Sequence, residues 1–377
     1  MKIKILFLTN DLGLGGVQRL VVDFANFFNK DEFEVRVATL FNWKESFFYR
    51  DRLGADIPLE VFNFQKVLDF GGWRRLYKYI RHEKFDIVFS QLFAADFVGR
   101  IAAKLAGVPL IVTEIQNIIP NLPKKYIWTD WLLSKITDVC ISTTQAVTDY
   151  GLQVVGFPKR KIFDIPTNAV DASRFQIKVD RVAIRKSLGL PIESRIIINV
   201  GRLVEQKGQH ILVEAAPKIL KEEPHAYFLI AGSGPLQPKL QAQINRLGIG
   251  EHFKLLGDRK DIPELLMSSD VFAFPSIWEG QGLILFECFF SKIPIVASNT
   301  GGIPDVIKHE ETGLLAEPGN ADDLAKNILR VLKDQTLAKN LANTAFVRYG
   351  DRTMENAIRK MENLFKDLLV KKKHGNS

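Results

Sequence analysis

The segment VFAFPSIWEGQGLILFE, residues 271–287, combines three patterns in one short run. Its first four residues are apolar and predict a buried parallel strand, and an apolar helix is predicted from Leu283 to about Ser291. Gly280 and Gly282 lie in the turn between them, where glycine lets a ligand approach the backbone closely. The free amides at the start of a helix attract anions. The segment therefore predicts either a ligand-binding loop or an ordinary strand–turn–helix joint.

Two glutamates belong to the same segment. Glu279 lies in the turn, and Glu287 lies about one turn inside the predicted helix. Both carboxylates can therefore face one crevice, where ionised carboxylates accept hydrogen bonds from sugar or ribose hydroxyls. The alternative is a pair of solvated acids without a ligand, and the segment alone does not choose between these interpretations.

Alternation of strand, loop and helix runs through most of the chain and predicts its fold. Apolar runs that predict parallel strands lie at 3–8, 35–40, 86–90, 110–113 and 139–142, and again at 195–200, 227–231, 253–256, 271–274, 295–297 and 313–316. The alternation restarts after a connection at about 158–171. This order predicts an α/β chain with two Rossmann-like parallel-sheet domains, and the length of 377 residues agrees with two domains.

Composition narrows the class of protein. Apolar residues make up 46% of the chain and charged residues 25%, as in an ordinary globular protein. No run reaches the ~18 apolar residues of a membrane span, and the N-terminus lacks the pattern of a signal peptide. Cys140 and Cys288 are the only cysteines, so we expect neither a disulfide framework nor a cysteine metal site, and a reducing cytosol suits the chain.

The formal net charge of +8 fits anionic ligands, an acidic membrane surface, nucleic acid or no partner at all. The cations are scattered rather than gathered in a stripe, which argues against nucleic acid. Two predicted helices, at about 73–83 and 125–136, combine cations with aromatic residues such as Trp128 and Trp131. Such a helix can rest on a membrane, but in both we expect an ordinary amphipathic helix whose aromatic stripe lies in the core.

A second loop carries cations, in the run GRLVEQKG at 201–208. Arg202 offers a planar fork that suits phosphate oxygens, and Lys207 adds a compact cation. Gly208 opens the following helix, whose N-terminus contributes its own positive end. The spacing suits a diphosphate, and the alternative is a solvated loop with unrelated charges.

Four motifs occur in a specific order: GRL…KG at 201–208, glycines at 232 and 234, EGQG…E at 279–287, and GGIP at 301–304. In this combination the chain resembles the large family of retaining, nucleotide-sugar-dependent glycosyltransferases that includes sucrose synthase and phosphatidylinositol mannosyltransferase. The resemblance spans nearly the whole chain. It implies a GT-B architecture, in which two Rossmann-like domains face a cleft, and transfer of a sugar to an acceptor hydroxyl with retention of anomeric configuration.

The resemblance also implies a role for individual residues. Arg202, Lys207 and Glu279 would be catalytic: the two cations would neutralise the departing diphosphate, and Glu279 would bind hydroxyls of the donor sugar. Glu287 would bind the ribose. The remaining implied donor contacts are Gly15, Gly16, Gly201, Gly232, Gly234, Leu256, Arg259, Gly280, Gln281, Gly282 and Leu283. No metal or cofactor is implied beyond the nucleotide sugar as co-substrate, with UDP favoured over GDP.

One departure from the family pattern lies after the strand at 110–113. Many members carry a histidine where this chain has Ile115. Glu114, Gln116 or Asn117 would then supply the polar contact on the acceptor side. The missing histidine leaves two alternatives open: a nucleotide-sugar-binding protein without transferase activity, and a sugar-nucleotide epimerase of the same fold.

The resemblance further implies separate roles for the two domains and a cellular location. Residues 1–170, joined by a C-terminal helix at about 352–369, would form the acceptor-side domain, and 171–351 the donor-binding domain, with a disordered basic tail at 370–377. The acceptor would be a glycan or lipid-linked molecule of cell-surface glycan or glycolipid synthesis. We expect a cytoplasmic protein at the inner face of the membrane, in peripheral contact with anionic lipid and without nucleic acid.

Overall fold

The computed structural model describes residues 2–42, 47–116, 118, 122–280 and 282–375. The chain divides into two compact units. We call Met1–Ala169 together with Thr353–Ser377 the N-terminal unit, and Val170–Arg352 the C-terminal unit.

Each unit contains one parallel β-sheet. The strands are β1 Ile3–Thr9, β2 Phe33–Thr39, β3 Leu59–Val61, β4 Ile87–Ser90, β5 Leu110–Ile115, β6 Val139–Ser142, β7 Ile162–Asp164, β8 Arg195–Val200, β9 Ala226–Ala231, β10 Phe253–Gly257, β11 Val271–Phe274, β12 Ile295–Ser298 and β13 Leu314–Ala316. The N-terminal sheet has the order β3-β2-β1-β4-β5-β6-β7, and the C-terminal sheet has the order β10-β9-β8-β11-β12-β13.

Helices connect the strands. They are α1 Gly16–Phe27, α2 Phe70–Glu83, α3 Phe93–Ala106, α4 Lys124–Ser134, α5 Gln145–Tyr150, α6 Arg181–Ser187, α7 Gln209–Glu222, α8 Gln237–Arg246, α9 Ile262–Ser268, α10 Leu283–Ser291, α11 Ile303–Val306, α12 Ala321–Lys333, α13 Gln335–Tyr349 and α14 Met354–Lys373. No helix in the described ranges is long and apolar enough to cross a membrane.

The strands are apolar because helices cover both faces of each sheet. In β8 the buried residues alternate between two core clusters: Ile197 packs with α7 and α12 on one face, whereas Ile196 and Ile198 pack with α9 and α10 on the other. The period of two follows from the pleat of a strand. Central strands such as β11 therefore read as continuous apolar runs, which is why the sequence predicts them. The short edge strands β3 and β7 are less buried and were not predicted.

The strand order of each sheet reverses beside its first strand. β1 lies between β2 and β4, and β8 lies between β9 and β11. In open α/β sheets ligands bind outside the carboxyl ends of the strands at this switch point. The loops that follow β8 and β11 are those that carry the cations and the glutamates of the sequence motifs.

The C-terminal tail differs from its prediction. α14 continues to Lys373, so Lys371–Lys373 form the last helical turn rather than a disordered tail. Lys372 Nζ donates a hydrogen bond to Asp138 in the loop before β6, which fixes this turn. Phe365 of the same helix is fully buried and stacks on Phe28. The helix therefore belongs to the N-terminal unit, and Asn376 and Ser377 lie outside the described residues.

The prediction for the two aromatic helices is right for one and wrong for the other. In α2, Leu76 and Ile80 are buried and Trp73 packs against the core. In α4, Trp128 is 68% exposed and Leu132 is 63% exposed. The inward side of α4 instead carries Leu133, Ser134 and Asp130, and Asp130 pairs with the buried Arg100 of α3 at 2.8 Å.

Candidate functional site

The switch point of the C-terminal sheet brings together one cation and one carboxylate that are 72 residues apart. Lys207 follows β8 and Glu279 follows β11, and the Lys207 ammonium donates a hydrogen bond to the Glu279 carboxylate in an ion pair. Glu279 is only 5% exposed. The Lys207 ammonium also lies 5.1 Å from the centre of the Phe274 ring. Lys207, the predicted phosphate contact, and Glu279, the predicted sugar contact, are thus neighbours in the structure.

Backbone hydrogen bonds tie the loops of this site together. The amide of Ile277, in the loop after β11, donates to the carbonyl of Gln206 at 2.8 Å, in the loop after β8. The amide of Gly302, after β12, donates to the carbonyl of Glu279 at 3.1 Å. Because three consecutive loops along the sheet edge share these bonds, the position of Glu279 depends on all three.

Glycine is required at two points where the loops touch. Gly208 has φ +62°, and a Cβ there would lie 2.0 Å from the Pro275 carbonyl oxygen. Gly301 has φ +55°, and its Cβ would lie 2.0 Å from the Glu279 carbonyl oxygen. Both the left-handed backbone and the close approach exclude a side chain. These glycines set how closely the loops after β8 and β12 approach the loop that holds Glu279.

The predicted donor contacts at 232–234 and 256–259 lie on segments beside the loop after β8. The Gly232 amide donates to the Gly257 carbonyl at 2.7 Å, and the Ser233 hydroxyl donates to Asp258 at 3.0 Å. A Cβ on Gly232 would lie 2.1 Å from the Gly201 carbonyl oxygen. The loops after β8, β9 and β10 therefore form one continuous edge.

Three other predicted donor contacts on this edge, Leu256, Gly234 and Arg259, each contact different groups. Leu256 is half-buried and packs against the core, and Gly234 lies directly against the backbone of Leu203. Arg259 donates two hydrogen bonds to Asp261, at 2.8 and 2.6 Å, which raises the pKa of the guanidinium. Arg259 is therefore held by its own loop in this structure.

Arg202 is the more exposed of the two cations in the loop after β8. Its backbone is fixed, because its carbonyl accepts a hydrogen bond from Gln209 Nε2 at 3.1 Å. Its side chain is exposed to solvent, and within the described ranges no ion pair or hydrogen bond of the guanidinium occurs. Arg202 is therefore free to meet an anion that arrives from solvent.

Glu287 lies on α10 and is 1% exposed. Its Oε1 accepts a hydrogen bond from Arg174 Nη1 at 3.1 Å. Sequence reasoning did not find Arg174, because the two residues are 113 positions apart and nothing in the local pattern marks the arginine. Gly282 caps the start of α10 and is buried with Gly280, and Leu283 is the first helical residue. Gln281 lies outside the described residues.

In the N-terminal unit, Gly15 and Gly16 lie where α1 begins, after β1. Gly15 has φ −179°, which any residue adopts, so its glycine is not explained by backbone conformation. Nearby, the Asp11 side chain accepts a hydrogen bond from the Gly13 amide at 2.7 Å and shapes the turn. The turn lies at the switch point of this sheet, beside the end of β4.

Glu114 is a buried carboxyl surrounded by neutral donors. Its Oε2 accepts hydrogen bonds from Gln91 and, at 2.9 Å, from Gln116, and its Oε1 accepts one from the Thr167 hydroxyl. Burial raises the pKa of Glu114, although the bonds from Thr167, Gln116 and Gln91 oppose the rise. Sequence reasoning missed Gln91 and Thr167, which reach Glu114 only through the fold. Asn117 lies outside the described residues.

Ile115 occupies the position at which many relatives carry histidine. It packs against a small apolar cluster formed by Cys140, Val155 and Phe157. An isoleucine side chain packs well among these apolar neighbours. Among the described residues no group of three or more histidine, cysteine or acidic side chains is arranged to hold a metal ion.

Comparison with known proteins gives matches along the whole chain. The family model for glycosyl transferases group 1 matches residues 180–348, and that for glycosyltransferase family 4 matches residues 14–174. UDP-Gal:alpha-D-GlcNAc-diphosphoundecaprenol alpha-1,3-galactosyltransferase of Escherichia coli is 29% identical over an alignment of 373 positions that covers 95% of each chain. N-acetyl-alpha-D-glucosaminyl L-malate synthase of Bacillus anthracis is 30% identical over 215 residues, which are 56% of each chain.

Solved structures share the fold. Anabaena HepE in complex with UDP and glucose has a TM-score of 0.86 at 23% identity, over 97% of this chain and 100% of that one. Sucrose-phosphate synthase from Thermosynechococcus elongatus has a TM-score of 0.82 at 18% identity, over 98% of this chain and 100% of that one. The predicted fold class is confirmed: two Rossmann-like parallel-sheet domains of the GT-B type.

The contact between Gly208 and Pro275 predicts an unequal cost of two glycine substitutions. Gly208→Ala adds a left-handed alanine, which costs about 1–2 kcal/mol, and a clash with a backbone oxygen, which adds about 1–3 kcal/mol. Gly319→Ala has a similar φ of +77° and nothing within 4 Å of the new Cβ, so it carries only the first cost. Urea unfolding of the C-terminal unit should show the larger loss for Gly208→Ala, and equal losses would contradict the tight contact.

The buried Glu114 predicts a pH-dependent stability difference. The unfolded carboxyl ionises near pH ~4.3, whereas the folded one keeps its proton to higher pH, so the unfolding free energy falls as pH rises through this window. Glu114→Gln cannot ionise and lacks this fall. Its unfolding free energy relative to the parent chain should therefore rise between pH ~4 and pH ~8.

Urea unfolding at a series of pH values measures this difference. Glu60→Gln, at an exposed position of the same unit, is the control for the chemical change alone. Parallel pH curves for the parent chain and Glu114→Gln would show that burial does not hold the proton on Glu114.

Proposed function

The chain belongs to the group 1 glycosyl transferases, and we propose that it transfers a hexose from a nucleoside diphosphate sugar to an acceptor hydroxyl with retention of anomeric configuration. The observation that carries the proposal is the pairing of Lys207 with Glu279 at the switch point of the C-terminal sheet. Both side chains stand where a ligand of an open α/β sheet binds. The C-terminal unit would bind the donor, and the N-terminal unit the acceptor.

The two cations of the loop after β8 would stabilise the leaving group. Negative charge builds on the diphosphate as its bond to the sugar breaks, and fixed positive charge at that point lowers the barrier. Lys207 is held in place by its neighbours, whereas Arg202 reaches solvent with a fork that matches phosphate oxygens. In this proposal the two side chains supply the positive charge that a metal ion supplies elsewhere, and the reaction needs no metal.

The remaining donor contacts would follow the same edge. Glu279 would bind hydroxyls of the donor sugar, and Glu287, oriented by Arg174, would bind the ribose. The amides at the start of α10, from Gln281 to Leu283, would face sugar or phosphate together with Gly280. The base would lie against Leu256 and Arg259 near Gly232 and Gly234, and we favour UDP over GDP.

Retention follows if the acceptor attacks on the face that the diphosphate leaves. The departing phosphate would then help to take the proton of the acceptor hydroxyl, and no separate acid–base pair is needed. Gly15 and Gly16 would leave room for donor phosphate and acceptor at the start of α1. Glu114, Gln116 and Asn117 would contact the acceptor side in place of the missing histidine.

The acceptor is proposed to be a glycan on a lipid diphosphate. The Escherichia coli relative, which aligns over 95% of this chain, is named for UDP-Gal as donor and a diphosphoundecaprenol-linked sugar as acceptor. An acceptor of this kind is held in the membrane. We therefore place the protein in the cytoplasm at the inner face of the membrane, in cell-surface glycan or glycolipid synthesis.

A second candidate is a protein that binds nucleotide sugars without transfer, and the apolar setting of Ile115 favours it. An epimerase is less well supported, since it would need an acid and a base near the sugar. Both cations and Glu279 serve binding equally well, so only turnover separates binding from transfer.

Substitution of the cations tests the proposal. Arg202→Ala and Lys207→Ala should each lower kcat by about 10²–10³-fold, because each removes one charge that stabilises the leaving group. Lys239→Ala, which removes an exposed lysine of α8, should retain kcat. Release of UDP from UDP-galactose measures kcat, with a GlcNAc-diphospholipid analogue as acceptor, and NMR of the product reports its anomeric configuration.

Three outcomes separate the candidates. Full activity in both cation variants would contradict the assigned roles, and a product of inverted configuration would contradict retention. A thermal-shift assay with a panel of nucleotide sugars reports which of them the parent chain binds. Binding in that assay without release of nucleotide in the turnover assay would favour the binding protein.

A further inference from the structure

The outward face of α4 has an unusual composition. Five residues of this helix are exposed, all within the described part of the chain: Lys124, Lys125, Trp128, Trp131 and Leu132. Each is a lysine, a tryptophan or a leucine, and no acid is among them. We call this set the α4 face. Exposed tryptophans side by side on a helix are rare in a soluble chain unless the surface has a partner.

Contacts within the N-terminal unit hold the α4 face in place. On the opposite side of the helix, Leu133 is buried and Asp130 is paired with Arg100. Trp128 and Trp131 contact each other edge to face, with ring centroids 5.8 Å apart. Trp131 also packs on the backbone at Gly156, where an added Cβ would lie 2.9 Å from its ring.

Cations surround the aromatic residues. The Lys135 ammonium lies 4.6 Å from the centre of the Trp131 ring. Lys161 donates hydrogen bonds to the carbonyls of Ser134 and Lys135, at 2.9 and 3.2 Å, and so fixes the turn at 159–161 against the carboxyl end of α4. Lys159 and Arg160 of that turn are exposed. The α4 face is therefore apolar at its centre and positive at its border.

We infer that the α4 face docks on an anionic lipid bilayer, with Trp128, Trp131 and Leu132 in the headgroup layer and the cations on lipid phosphates. Tryptophan is favoured at membrane interfaces because its ring is apolar and its N–H is polar. Lysine extends its charge to the headgroups while its stem stays among apolar groups. Protein–protein interfaces are depleted in lysine, so the mixture of lysine and tryptophan favours lipid over a protein partner.

The α4 face continues toward the edge of the sheet that carries the acceptor-side residues. Tyr126, in the first turn of α4, contacts Phe93, the first residue of α3, with ring centroids 4.8 Å apart. Phe93 is 46% exposed and lies two residues after Gln91, which donates a hydrogen bond to Glu114. Docking through α4 would therefore bring this sheet edge close to the bilayer. The inference adds to the proposed function the surface by which the chain reaches a membrane-held acceptor, and that link rests on the proposed function.

Vesicle co-sedimentation of the full chain without nucleotide sugar tests the inference. The chain should bind vesicles of phosphatidylcholine with phosphatidylglycerol and should bind phosphatidylcholine vesicles much more weakly. Trp128→Ser combined with Leu132→Ser should weaken binding at least about tenfold, because both apolar anchors are lost. Leu105→Ser, which replaces another exposed leucine of the same unit, should bind as the parent chain does.

The charges are tested separately. Lys124→Ala and Lys125→Ala should each weaken binding about fivefold, and salt should weaken the parent chain in the same way. Lys78→Ala, at an exposed position of α2, is the matched control. With a water-soluble acceptor analogue, the Trp128→Ser and Leu132→Ser variant should transfer sugar at the parent rate.

Several results would overturn the inference. They are no binding to anionic vesicles, unchanged binding of the Trp128→Ser and Leu132→Ser variant, or light scattering that shows a dimer which this variant dissociates. If the parent chain binds vesicles through α4 but transfers no sugar, the proposed function fails and the docking surface stands.

Discussion

The part-buried ion pair between Lys207 and Glu279 is the constraint on which the C-terminal site depends. Removing Lys207 would leave the buried Glu279 carboxylate without its partner, which destabilises the site. The two residues come from different loops, so the loops must be positioned to within a fraction of an ångström. The structure achieves this with the Ile277–Gln206 backbone bond and with glycines whose absent side chains let carbonyl groups come close. A diphosphate placed beside Lys207 would compete with Glu279 for the ammonium, which couples donor binding to the carboxylate that would hold the sugar.

The equivalent edge of the N-terminal sheet carries a buried carboxyl group among neutral hydrogen-bond donors. Glu114 is buried among Gln91, Gln116 and Thr167, which are neutral donors. Burial raises the pKa of Glu114, and the hydrogen bonds from these donors oppose the rise. The outward face of α4 adds a membrane-facing surface to the same unit, so acceptor recognition and membrane contact would be properties of one domain.

The sequence predicts the central strands and the positions of the loops after β8 and β11 well, because both depend on local patterns. Strands such as Val271–Phe274 are continuous apolar runs, since helices cover both faces of the sheet. Arg174, Gln91 and Thr167 were missed because their partners lie far along the chain and only the fold brings them together. The α4 prediction was wrong because the apolar residues of α4 are spread around the helix rather than gathered on one face, so the sequence does not show which side is buried. The tail prediction was wrong because Lys372 donates hydrogen bonds to Asp138 and to the Pro109 carbonyl, which hold the last turn of the helix.

The central claim is that the Lys207 ammonium, which pairs with Glu279, binds the donor diphosphate in competition with this carboxylate. Calorimetric titration with UDP, which has the diphosphate but no sugar, tests it most directly. Glu279→Gln should bind UDP about tenfold more tightly than the parent chain, because the ammonium no longer has a competing carboxylate. Lys207→Ala should bind UDP more weakly than the parent chain. If Glu279→Gln binds UDP no more tightly than the parent chain, the ion pair does not compete with the donor and the account is wrong.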